Sequence, residues 1–170
     1  MSVRMDVVLK GELDGLEGLS DKLVEAAASG MSTGLLAMER DAKKLCPVDT
    51  GDLRNSIHTE VSTDGGAVKG KLIANSDHAV YVEMGTGDVG RASGGNGSGV
   101  NVSYRHGGWF VPLPRAAVML KDTILREGSG GFWTNGQPAR PYLYPAYQQN
   151  RGKLVEKIRA AIREKLKGGG

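Results

Sequence analysis

Cysteine is nearly absent: Cys46 is the only one, which excludes an internal disulfide. Large aromatics are equally scarce. The two Trp and two Phe residues are Trp109, Phe110, Phe132 and Trp133. No apolar run approaches the ~20 residues of a membrane span. The opening, MSVRMDVVLKGELDG, has acids where a signal peptide has an apolar core. The expectation is therefore a chain made in the cytosol. No His-Glu-x-x-His, Cys-x-x-Cys or repeated His/Cys spacing occurs, so structural zinc lacks ligands. No Gly-x-Ser-x-Gly elbow is present. GTGDVG, from Gly85 to Gly90, superficially resembles a phosphate loop. It lacks the Lys-Ser/Thr that follows such glycines, and the expectation is that no helix follows to aim N–H groups at a phosphate.

What is present is length for one domain with a modest core, taken as residues 1–170. The net charge is +3, too small to argue for nucleic acid alone. Its distribution says more. Between Gln148 and Lys167, seven cations (Arg151, Lys153, Lys157, Arg159, Arg163, Lys165, Lys167) face Glu156 and Glu164. That segment is +5 and the remainder −2. A basic helix beside a mildly acidic body suits an electrostatic partner, or is simply a solvated face.

Hydrophobic periodicity gives an α+β architecture. Val3, Met5, Val7 and Leu9 alternate as in a half-buried strand. Leu16, Leu19, Leu23, Ala27, Met31, Leu35, Met38, Ala42 and Leu45 recur at helical spacing, predicting a long helix from Leu16 or Ser20 to Leu45. Gly30 and Gly34 inside it either weaken it or admit a second backbone at close range. Pro47 ends the helix. Asp49, Thr50 and Gly51 supply turn chemistry, so Pro47, Asp49, Thr50 and Gly51 read as a structural corner. Ile57–Val61 and Val68–Ala74 alternate around Asp64-Gly65-Gly66, a hairpin signal. HAVYVEMGTG reads as a third extended or short helical segment. Leu154, Val155, Ile158, Ala161, Ile162 and Leu166 give a C-terminal helix, with Pro145 in its first turn. Residues 88–136 are Gly-rich and read as a long irregular insertion or arm. Its four aromatics suit docking on a neighbour, or folding back over the sheet. In sum, a small antiparallel sheet packs on a long N-terminal and a C-terminal helix.

Catalytic arrangements are thin. Asp49 and Asp52 are too few for a metal. Asp49, Asp52, Glu60 and Glu83 could pair two carboxylates for glycoside hydrolysis, but no aromatic-lined cleft pattern accompanies them. Cys46 reads as a buried small residue rather than a nucleophile. Arg140, stiffened between Pro138 and Pro141, could form a bidentate pair with Glu83. The expectation is no enzyme and no cofactor.

Three phrases in order carry a resemblance. They are Lys-x-x-Cys-Pro-Val-Asp-Thr-Gly-x-Leu-Arg-x-Ser-Ile (Lys43–Ile57), Tyr-Val-Glu-x-Gly-Thr (within Ala79–Thr86) and Pro-Ala-Arg-Pro-Tyr-Leu-x-Pro-Ala (Pro138–Ala146). The chain resembles the lambdoid-type tail-component family of long-tailed bacteriophages, which includes neck, tail-completion and head–tail connector proteins. The resemblance covers the chain outside 88–136, which is longer than the loop of similar proteins. It implies a virion structural protein at the head–tail junction, in a ring of sixfold symmetry, joining a head-closure protein to the tail tube. A tail terminator capping the tube is the alternative. A non-specific DNA-binding module using the basic helix is the alternative of another class. On the first reading Trp109, Phe110, Phe132 and Trp133 are assembly contacts. Arg151, Lys153, Lys157, Arg159 and Arg163 then face a lumen through which DNA passes.

Overall fold

The computed structural model describes residues 3–5, 21–64, 66–112, 125–128 and 130–167. The fold is α+β. The chain forms two compact units, residues 1–77 with 145–170, and residues 78–144.

The first unit holds strand β1 (Val3–Met5), helix α1 (Asp21–Leu45), short helix α2 (Asp52–Asn55), and strands β2 (Ile57–Asp64) and β3 (Ala67–Ala74). It also holds most of the C-terminal helix α5 (Leu143–Lys167). The sheet order is β1-β3-β2, antiparallel throughout. The hairpin register pairs Ile57 with Ala74 and Asp64 with Ala67, with Gly66 in the turn. Gly66 has φ 84°, which L side chains rarely adopt. The third segment, Ala79–Met84, is a short helix rather than a strand. The central strand of the sheet is therefore β3, joined on its far edge by Val3–Met5.

Helix α1 buries Ala27, Met31, Leu35, Met38 and Ala42, the stripe expected from the sequence. Leu45 departs from it and is exposed, because the chain turns away at Pro47 one residue after Cys46. Leu16, Leu19 and Ser20 lie outside the described residues, as do Val7 and Leu9. Met31 and Leu35 press on β3 where Gly70 leaves room: a Cβ there would sit 2.7 Å from both side chains. Each such buried apolar side chain contributes about 1.5–3 kcal/mol.

Gly30 and Gly34 resolve the choice left by the sequence. A Cβ on Gly30 would lie 2.6 Å from the Ile158 Cα and 2.8 Å from the Lys157 carbonyl oxygen. A Cβ on Gly34 would overlap the Leu154 side chain. The two glycines, one turn apart, form a groove that receives the backbone of α5. Asn150 on α5, itself buried, donates to Asp41 Oδ2 at 3.0 Å and to the Ala146 carbonyl at 2.9 Å, a polar tie across this helix pair.

The second unit holds α3 (Ala79–Met84), α4 (Gly87–Ala92) and strands β4 (Trp109–Pro112), β5 (Leu125–Gly128) and β6 (Gly131–Thr134). The strands form an antiparallel sheet of order β4-β6-β5. Part of the segment read as irregular is thus regular structure. Its glycines hid the strands, which are only four residues long.

Candidate assembly interface

The corner after α1 has the local chemistry its residues suggest. Thr50 Oγ1 donates to Asp52 Oδ2 at 2.7 Å and accepts from the Asp52 N–H at 3.3 Å. Gly51 takes φ 94°, and its carbonyl accepts from Asn55 N at 2.9 Å, opening α2. Asp49 is exposed. Pro47 is half-buried, and Val48 stands 56% exposed.

Glu83 sits on α3, not on a sheet, and is 3% exposed. Its Oε2 accepts the backbone N–H groups of Tyr142 at 2.8 Å and Leu143 at 3.0 Å. Its Oε1 accepts from Tyr144 N and from Asn96 Nδ2, both at 3.0 Å. A carboxylate is an acceptor-only group, and here four donors fill it. Glu83 thereby caps the N-terminus of α5, whose first amides have no helical partner and whose dipole favours an anion. The expected Arg140–Glu83 pair meets a carboxylate already engaged by these donors. The Arg140 side chain is exposed, and its backbone N–H donates to the Val82 carbonyl at 2.8 Å.

That bond belongs to a zipper between two of the phrases singled out in the sequence. Thr86 N donates to the Gln137 carbonyl at 2.9 Å, and Gln137 N donates to Thr86 Oγ1 at 3.1 Å. Gln137 Nε2 reaches the Tyr81 carbonyl at 3.1 Å. Gly85, Gly87 and Gly136 all have positive φ, and a Cβ on Gly136 would overlap the Thr86 carbonyl. The Gly-Thr-Gly phrase is thus a backbone crossing. A helix, α4, does follow it, contrary to expectation. However, Val89 N donates to Asn135 O and Gly90 N to Thr86 O, so these amides are engaged within the fold. Asp88 accepts from His106 Nδ1 at 2.8 Å and from Gly107 N at 3.2 Å, which lowers its pKa.

The small sheet places the four large aromatics. Cross-strand register sets Phe110 opposite Trp133 on one face, and Val111 opposite Phe132 on the other. Phe110 and Trp133 meet edge to face, with centroids 5.8 Å apart. They remain 37% and 52% exposed. Trp109 and Phe132 are half-buried on the opposite face beside buried Val111, and Arg105 lies over the Trp109 ring at 5.8 Å. The expected quartet therefore divides: one pair faces outward, the other inward.

Helix α5 buries Leu154 and Ile158 and exposes Arg151, Lys153, Lys157, Arg159 and Arg163. At 100° per residue these cations spread over about two-thirds of the helix circumference, with Glu156 and Glu164 among them. Among the described residues, no helix is long and apolar enough to cross a membrane, and no three His, Cys, Asp or Glu side chains converge as metal ligands would.

Residues 13–85 match a family described as "Bacteriophage HK97-gp10, putative tail-component". The region spans α1, the Pro47–Gly51 corner, the β2–β3 hairpin and Glu83. The match covers less than half of the chain and holds the first phrase and most of the second; the third, Pro138–Ala146, lies beyond it, and over that stretch the chain is similar to a phage tail-component family. No curated protein and no solved structure matches.

Two residues escaped the sequence reading. Asn96 lay in a Gly/Ser-rich run, and Asn150 at the head of a charged helix. Neither carries a local signal, since the carboxylates they serve lie 13 and 109 residues earlier in the chain.

Proposed function

We propose that the protein is a structural component of the head–tail junction of a long-tailed phage, acting as one subunit of a ring between the head-closure protein and the tail tube. The observation that carries this reading is the outward Phe110–Trp133 pair, together with the tail-component match. Rigid aromatics raised on a short sheet are the residue type that dominates protein interfaces. A closed ring needs two different patches on each subunit. The aromatic face of the second unit and the exposed cations of α5 in the first are such patches.

The ring is proposed as a hexamer, with Arg151, Lys153, Lys157, Arg159 and Arg163 toward passing DNA, where they would meet phosphate without reading sequence. A tail terminator is the neighbouring reading. The exposed cations also favour a second reading, a free DNA-binding module, which requires salt-sensitive DNA affinity in the isolated chain. Electron microscopy of particles made without this chain tests the proposal. Heads lacking attached tails are expected; normally tailed, infectious virions would refute it.

A further inference from the structure

A groove of about 500 Å³ lies in the first unit, between the last turns of α1 and the Pro47–Val48 corner. Leu36 and Val48 line it and are 57% and 56% exposed, an unusual state for large aliphatic side chains in one depression. Around them stand Arg40, Lys43, Lys44 and Arg54, against one lining carboxylate, Glu39. Lys43 holds Glu39 at 2.6 Å. Among the described residues Arg40 and Lys44 pair with Asp41, at 3.3 and 3.8 Å, and the two cationic side chains are exposed enough to exchange partners at little cost. Arg54 has no carboxylate partner among the described residues. Val48 interrupts the Pro-Val-Asp-Thr-Gly phrase with a side chain that the fold itself does not bury.

We infer that this groove docks an acid-rich segment of a different virion protein, inserting one aliphatic side chain between Leu36 and Val48 while its carboxylates take Arg40, Lys44 and Arg54. Charge selects this occupant. Arg40, Lys44 and Arg54 beside a small apolar floor favour a partner that brings several carboxylates and one apolar anchor. The inference rests on the tail reading above and gives it a contact outside the aromatic face.

The test places a photo-crosslinking residue at Val48 in the full chain and assembles it into particles. After irradiation, the joined peptide is sequenced. The expected product links residue 48 to a segment of another virion protein with several Asp or Glu residues near the junction. Arg40→Glu with Arg54→Glu should reduce that product at least tenfold, while circular dichroism of the purified variant stays unchanged. A crosslink to a neutral or basic segment, to a copy of this chain or within one molecule would overturn the inference. So would a product indifferent to the charge reversal, or no product from chains present in the particle. Absence of the chain from particles would instead defeat the tail reading itself.

Discussion

A single buried carboxyl group, that of Glu83, organises the start of the C-terminal helix. It accepts three consecutive backbone amides and one side-chain amide. Glu83→Gln keeps the shape but turns an NH₂ toward donors, so bonds are lost and a donor is left facing donors. Hydrogen bonds to a charged group contribute about 1.5–3 kcal/mol each when buried. The expected loss is about 2–4 kcal/mol, read as a lower urea midpoint. A variant as stable as the parent would remove Glu83 from this role.

Asp41 makes a second residue-scale statement, about pH. The Asn150 amide above all, then Arg40 and Lys44, holds its carboxyl below the usual aspartate range, against an opposing effect of burial. A depressed folded-state value means stability that is fully present above the unfolded value of ~3.9 and lost as pH falls through the folded one. Asn150→Ala should therefore cost stability at neutral pH. The gap from the parent should narrow below about pH 4, once the carboxyl is protonated in both. Urea titrations between neutral and acid pH check this; a gap constant across that range would contradict it.

At the scale of elements, three glycines separate packing from propensity. Gly→Ala in a helix gains up to about 1 kcal/mol when nothing obstructs the methyl group. Gly152 on α5 meets nothing within 4 Å, so Gly152→Ala should stabilise by that amount. At Gly30 the methyl would meet helix backbone, which cannot rotate aside, and overpacking costs about 1–3 kcal/mol. Gly34→Ala should fall between them, because Leu154 can move its side chain. Thermal unfolding of the three variants gives the order; equal shifts would mean that α1 and α5 are not in backbone contact.

The same elements mark what the sequence can disclose. The α1 stripe, the Pro47 stop, the Asp64-Gly65-Gly66 turn and the Pro145 helix start are local, because each follows from periodicity or from a residue that fixes φ. The function of Glu83 is not local: one Glu between Val82 and Met84 carries no sign that its partners lie about sixty residues later. Gly-rich surroundings obscure strands β4 and β6, so the sequence shows the aromatic residues but not the sheet that presents them. Which aromatics face outward depends on register, and register depends on pairing with a strand elsewhere in the chain.

At the scale of the molecule, stability and assembly should separate. Phe110 and Trp133 already expose much of their surface, and their mutual contact is worth about 0.5–1.5 kcal/mol. Phe110→Ser with Trp133→Ser should leave a folded chain with a nearly unchanged melting temperature, yet a phage carrying it should produce few tailed particles. Loss of folding together with assembly would assign the pair to the core instead of an interface. The most direct measurement is a density map of the phage head–tail junction. The account requires copies of this chain in a closed ring there, with Phe110 and Trp133 buried against a neighbouring chain. A junction and tail containing no such chain, or a ring whose Phe110–Trp133 face stands in open solvent, would contradict it.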